Sequence, residues 1–325
     1  MQYILRRLGF YVIAAFTSLT LNFLIPRLMP GDPASTMFAR FQGQMRPETL
    51  DALRAAFGFT EAPLPSQFLT YLTHAFRGDF GISISYYPTP VKTVIGTGFI
   101  WTILLAGLAV IISFLLGNLL GMMAAWRRGG WLDSLLPPLM TFIGSFPYFF
   151  LAMTALFYLG FQFGWFPLRH AYSDSLTPGW NLTFVLDVLK HLVLPGLTVV
   201  LVSVGGWMLT MRNTMVATLA EDYITMAEAK GLPENSIMYH YAARNALLPN
   251  ITAFGMALGY VLGGQLLTEV VFAYPGLGYM LLQAVRTQDY PLMQGLFLMI
   301  TMAVLGANLI VDLLYVRLDP RVRYA

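Results

Sequence analysis

Charged side chains are scarce in this sequence, 11% of residues, against roughly a quarter in ordinary soluble domains. Hydrophobic residues reach 57%, so the surplus apolar surface calls for a nonaqueous solvent and the chain reads as an integral membrane protein. Cysteine is absent, which excludes a disulfide framework and a thiolate metal site and leaves the redox compartment undetermined. His74, His170, His191 and His240 show no metal-ligand spacing. There is no G-x-x-x-x-G-K-[ST] loop, so the chain lacks the backbone cradle that holds nucleotide phosphates. H-E-x-x-H and G-x-S-x-G are missing too, which removes support for an intramembrane enzyme. The net charge of +3 and the pI near 9.0 would suit a nucleic-acid partner, but the basic residues flank apolar runs instead of lining one face.

What is present is a series of long apolar runs. Six stretches are long enough to cross a hydrocarbon core of about 30 Å, which takes roughly 20 residues of helix. They run approximately Leu8 to Met29, Gly96 to Ala125, Leu135 to Phe163, His191 to Met211, Ile251 to Phe272 and Leu292 to Val316. The first follows Arg6 and Arg7 as a signal peptide would, but it exceeds a typical h-region and no small-x-small cleavage site follows, so it reads as a retained anchor. With both termini cytoplasmic, the inner side holds Arg6, Arg7, Arg127, Arg128, Arg212, Lys230, Arg244, Arg317, Arg321 and Arg323, while the short outer loops hold Arg169, Lys190 and Arg286. The positive-inside rule favours that orientation. The segment 30–95 has balanced charge and is expected outside as a small cap with a helix around Pro47 to Gly58. This divides the chain into 1–29 (tip and first span), 30–95 (cap), 96–316 (core) and a cytoplasmic tail, 317–325.

One inner loop, about 218–249, is unlike its surroundings. Thr218-Leu219-Ala220-Glu221 fits a capping box, with Asp222 adding negative charge at a helix start. Gly231 stands where a left-handed residue would end that helix, and Pro233 suits the first turn of the next. At helical spacing Ile237, Met238, Tyr241, Ala242 and Leu248 share one side of the second helix, and Ser236, His240 and Arg244 another. Periodicity leaves two readings open: a connector lying on lipid, or a docking surface for a cytoplasmic partner.

The string Glu228-Ala229-Lys230-Gly231-Leu232, with Ala243-Arg244-Asn245-Ala246-Leu247-Leu248-Pro249 downstream, resembles the EAA loop of permease subunits of ATP-binding-cassette importers, in the dipeptide, oligopeptide and nickel branch. "LRRL" and "PGDP" (Pro30 to Pro33) around the first span, "EVVFAYPGLG" (Glu269 to Gly278) and "LDPRVRY" (Leu318 to Tyr324) agree in the same order, so the resemblance covers essentially the whole chain. The family usually carries basic residues just after Leu232 and within the second helix, where this chain has Pro233, Glu234, Asn235, Ser236, Tyr239 and Tyr241. The departure makes the docking chemistry less basic.

The resemblance implies an all-α fold of six transmembrane helices, the type I ABC importer permease fold, in the inner membrane of a prokaryote. It implies a homologous second permease, two cytoplasmic ABC ATPases, an extracytoplasmic solute-binding protein, and ATP with Mg2+ on the ATPases and no cofactor on this chain. The implied cargo is peptide, with oligosaccharides or nickel complexes as the alternative. An ion-coupled secondary transporter is disfavoured because the spans plant almost no ionisable groups near the midplane. The ATPase would be met by Glu228, Ala229, Lys230, Gly231, Leu232 and Arg244, Glu228 through a charge-assisted hydrogen bond.

The translocation path is marked less clearly. Asn22, Asn118, Gln265, Glu269, Asn308 and Asp312 are polar residues within or near span ends. "AYPGLGYM", with Tyr274, Pro275 and Gly276, suits an outer gate or a tight turn. Pro137, Pro138 and Pro147 are expected to kink the third span, Gly205-Gly206 and Gly263-Gly264 to let helices pack closely, and Trp101, Trp126, Trp131 and Trp165 to sit at the interfaces.

Overall fold

The computed structural model describes residues 2–29, 62–261, 263 and 265–318, and it is helical, with no strand among them. The expected Pro47 to Gly58 helix, "PGDP" and residues 319–324 of the C-terminal motif lie outside the described residues. Among the described residues four helices are long and apolar enough to cross a membrane: Arg7–Leu28 within Gln2–Leu28, Val91–Trp126, Leu182–Thr218, and Tyr290–Ile310 within Tyr290–Leu318.

The third expected span is not one rod. Trp131–Gly144 and Tyr148–Gln162 meet at a bend of 91° and make a fifth crossing if taken together. The bend falls at Pro147, whose ψ of 130° is extended, whereas Pro137 and Pro138 remain inside a helix. A proline disfavours the helical conformation of the residue before it, and here Phe146 is where the helix has stopped. The fifth expected span is a 14-residue helix, Leu248–Val261, with the short helix Leu266–Val271 after it. Alone it is too short to cross about 30 Å at 1.5 Å per residue.

The chain forms two compact units. One contains residues 1–102, 262–266 and 275–325. In it the first and last helices are joined at one end by Asp312, which accepts from the Arg7 guanidinium at 2.9 Å and from the Tyr11 hydroxyl. Toward the other end, fully buried Asp289 divides its carboxylate. Oδ1 accepts from the Leu292 amide at 3.1 Å and so caps helix Tyr290–Leu318, while Oδ2 accepts from the Ser83 hydroxyl and, at 2.8 Å, the Ser85 amide. One carboxyl group thus fixes both a helix start and the loop 82–86, and its burial is tolerated because each oxygen is hydrogen-bonded.

The other unit contains residues 103–261 and 267–274. Its frame is the crossing of residues 103–126, the second part of Val91–Trp126, with the 37-residue helix Leu182–Thr218. A Cβ on Gly117 would lie 2.5 Å from the Trp207 Cβ, and one on Gly121 would lie 2.4 Å from the Met208 carbonyl oxygen. Two glycines four residues apart therefore let the backbones touch. Gly205, one of the expected packing glycines, faces Met140 at 3.2 Å, but Gly206 opens onto empty space. Across the crossing, Asn250 donates to Asn118 Oδ1 and, at 3.1 Å, to the Trp207 carbonyl.

Gly121→Ala is expected to lower stability by about 1–3 kcal/mol, because backbone must move to admit the methyl group. Gly206→Ala, which meets nothing, is expected to raise it by up to about 1 kcal/mol through helix propensity. Thermal denaturation in detergent reads both, and equal effects would contradict the close crossing.

Candidate functional site

Immediately beyond the glycine crossing, Met122 and Ala125 on one helix and Met211 and Met215 on the other form an apolar platform. The segment between Thr218 and Leu248 is built onto it. Thr218 is the last residue of Leu182–Thr218, and its hydroxyl donates back to the Thr214 carbonyl at 2.9 Å, so the expected capping box does not form. The long helix simply runs on to the residue that sequence pattern read as a new cap. Glu221, with extended φ and ψ of −79° and 145°, starts the helix Asp222–Ala229, and Asp222 lies in its first turn as expected. Ile224 and Ala227 bury themselves on the platform.

Gly231 then ends that helix as the sequence indicates, with φ of 70°. The Leu232 amide reaches back to the Ala227 carbonyl at 3.3 Å and the Gly231 amide to the Glu228 carbonyl at 2.8 Å, the paired bonds of a Schellman motif, with Leu232 packed against the same cluster. A Cβ at 231 would meet nothing within 4 Å. The demand for glycine is therefore one of backbone conformation and not of space.

Pro233 caps the second helix, 234–246, whose central turns Ile237–Ala243 are π-wound. Bonding from i to i+5 changes the repeat, and within these turns the buried residues are Ile237 and Met238, then Ala242 and Ala243, a step of five. Tyr241 and Leu248, which a 3.6-residue period places with the buried set, are exposed. Asn245 ties the two short helices together, donating to the Tyr223 hydroxyl at 3.0 Å and the Tyr241 carbonyl at 3.1 Å.

The opposite face of this segment is open. Glu228, Ala229, Lys230, Gly231 and Arg244 are exposed, and Leu232 is half-buried. The side chains of Glu228, Lys230 and Arg244 make no hydrogen bond or ion pair with another described residue. Around them stand Tyr223, Met226, Tyr239 and Tyr241, all more than a third exposed. Unpaired charges among exposed aromatic and methionine side chains, on a helix pair fixed by its own core, make a surface able to hold a protein partner. Sequence reading named the charges and set Tyr239 and Tyr241 where the family carries basic residues, but missed Tyr223 and Met226 as part of the face; their alternation with buried Ile224 and Ala227 was the available signal. A cavity of about 320 Å3 opens beside the second helix, lined by residues that include Asn118, Met122, Met211 and Arg244. It brings together Asn118, assigned to the path, and Arg244, assigned to docking.

The remaining path candidates are scattered. Glu269 is fully buried in Leu266–Val271, and its carbonyl accepts from the Tyr274 amide at 2.7 Å. The Tyr274 phenol, also fully buried, is pushed above its ordinary pKa by burial and then by the nearby Glu269 charge. Gly276 caps Leu277–Arg286, whose first amide, that of Leu277, donates to the Thr102 hydroxyl at 2.7 Å; Pro275 and Gln265 are half-buried. Asn22 is buried with its Nδ2 unpaired among the described residues, Asn308 is half-buried, and Asp312 is held by Arg7 and Tyr11. No group of three or more potential metal ligands occurs among the described residues.

Comparison with known proteins gives this arrangement its context. Residues 117–324 match the family model described as the inner membrane component of binding-protein-dependent transport systems. The chain is 34% identical to a probable peptide ABC transporter permease of Sinorhizobium fredii, covering 99% of both chains. It is 36% identical to a probable D,D-dipeptide transport system permease of Escherichia coli (93% of this chain, 92% of the relative) and 32% identical to a glutathione transport system permease of Salmonella typhimurium (100% and 99%).

Gly231→Val is expected to cost about 1–2 kcal/mol by forcing a branched side chain into left-handed backbone, with Gly231→Asn costing less. Hydrogen exchange at the Gly231 and Leu232 amides measures the loss directly. Unchanged protection in the valine variant would contradict the assignment.

Proposed function

We propose that this chain, which belongs to the family of inner-membrane components of binding-protein-dependent transport systems, is one permease subunit of an ATP-driven importer for peptides. The observation that carries the reading is the 222–246 helix pair, which seats an apolar core on two long helices and turns unpaired charges and tyrosines outward. Family membership implies that the energy arrives from ATPase subunits and the substrate from a binding protein. The peptide class is supported by the names of the relatives, which are given for peptides, dipeptides and glutathione.

In this reading the outward face of the pair, with Glu228, Lys230, Gly231 and Arg244, sits in a cleft of a cytoplasmic ATPase. Closure of the ATPases on nucleotide displaces the pair, and the shared core carries that displacement into Val91–Trp126 and Leu182–Thr218. Taking a two-state transporter from 1:99 to 99:1 needs about 5.5 kcal/mol of differential interaction. A loop hanging free could not transmit such a bias; a pair with its own buried cluster can. The outward tyrosines supply contact area where relatives of this branch use basic residues. A homologous permease completes the pore, Glu269, Tyr274, Pro275, Gly276, Gln265 and Asn118 contribute to path or gate, and both termini are cytoplasmic, as the arginine distribution favours. The bent pair serves as the third of six spans and Leu248–Val261 begins the fifth.

Reconstituted with its partner permease, ATPases and binding protein, the chain is expected to take up peptide only with ATP present, and gradient-driven flux by the chain alone would overturn the reading. Glu228→Gln is expected to weaken ATPase attachment roughly tenfold or more, the scale of one charge-assisted hydrogen bond. Pull-down of the ATPase at graded concentrations reads it; undiminished affinity would remove Glu228 from the contact.

A further inference from the structure

The helix Leu64–Arg77 falls within the segment that sequence reading placed in a water-facing cap, but its packing puts it at hydrocarbon depth. It lies against the second half of the first helix. Gln67 accepts from Arg27 Nε at 3.2 Å, the Phe68 ring meets Phe23 at 5.2 Å and Phe16 at 6.4 Å, and Tyr71 meets Phe23 at 5.7 Å. The apolar run of that first helix ends at Leu28, and at 1.5 Å per residue Phe23 and Phe16 stand roughly 8 and 18 Å inside its end. A bilayer core is only about 30 Å thick. The Phe68 ring, wedged between those two, is therefore well below the membrane surface.

At 100° per residue the short helix has three strips. Phe68, Tyr71, Leu72 and Ala75 form the packed one, in a cluster with Leu19, Phe23 and Leu298. Ser66, Thr70, Thr73, His74 and Arg77 form a polar one. Between them Pro65, Leu69 and Phe76 fall within roughly 40° of one another, with Leu69 63% and Phe76 83% exposed. On the first helix Phe16, which meets Phe68, is itself exposed.

The small hydroxyls of the polar strip bond back to their own helix. The hydroxyls of Ser66, Thr70 and Thr73 donate to the carbonyls of Pro63, Ser66 and Thr70 at 2.8, 3.0 and 2.7 Å. In its last turn the Ala75 and His74 carbonyls accept from the amides of Gly78 and Asp79, with Gly78 left-handed at φ of 66°.

We infer that Leu64–Arg77 is a membrane-embedded amphipathic helix whose Leu69 and Phe76 strip contacts acyl chains of the leaflet around the second half of the first helix, its polar strip turned to the headgroups. The inference needs the first helix to span the membrane and is independent of cargo and of ATPase coupling.

Because the chain has no cysteine, single substitutions label cleanly. The full-length chain carrying Leu69→Cys, Phe76→Cys, Thr73→Cys or Arg77→Cys with a nitroxide label is reconstituted in phosphatidylcholine–phosphatidylglycerol vesicles. Power saturation then compares lipid-soluble oxygen with an aqueous nickel chelate. Labels at 69 and 76 are expected to be several-fold more accessible to oxygen than to nickel, and those at 73 and 77 to show the reverse. Nickel access at 69 and 76 matching that at 73 would overturn the inference in favour of a water-exposed cap. Protection of 69 and 76 from both reagents would overturn it in favour of a protein contact.

Discussion

The contact on which the coupling segment depends is a backbone crossing. Gly117 and Gly121 bring Val91–Trp126 so close to Leu182–Thr218 that a single methyl group would collide with the Val204 or Met208 carbonyl. In a lipid environment no hydrophobic effect holds helices together, so shape and close approach must do so. That crossing also fixes the axial register of Met122, Ala125, Met211 and Met215, within the next two turns. Everything that packs on those four residues inherits the register.

A rigid foundation changes what the polar helix pair can be. Ile224, Ala227, Ile237, Met238, Ala242, Ala243 and Ala246 are buried together with the ends of both long helices, so the short helices and the long ones share a core and are displaced together. The charges of Glu228, Lys230 and Arg244 meanwhile remain unspent inside the chain. Stability and recognition are separated by face, with apolar and small residues inward and tyrosines with charge outward.

Local chemistry was readable where a residue type answers a local demand. Gly231 adopts the left-handed conformation its position in the sequence suggests, and Pro233 stands at the start of the next helix. Features set by distant partners were not. Thr218 looks like a cap, but the long helix runs on to it and keeps Met211 and Met215 helical where they form the platform with Met122 and Ala125. The π winding of Ile237–Ala243 leaves no mark in composition, and a 3.6-residue period consequently misplaced Tyr241 and Leu248. Pro137 and Pro138 are absorbed within a helix while Pro147 breaks one. The Gly117–Gly121 spacing was visible, yet its meaning depends on a neighbour 87 residues away or more, such as Trp207 or Met208.

The clamp between Arg7, Tyr11 and Asp312 has a consequence for the order of events at the ribosome. Its partners are separated by 305 residues, and at 5–20 residues per second the carboxylate is made roughly 15–60 s after the arginine. Throughout that interval the first helix holds the Arg7 guanidinium and the Tyr11 phenol without the carboxylate that will later lie beside them. Insertion must therefore shelter a nascent helix for most of the time the polypeptide takes to be synthesised, and its final seat is closed last.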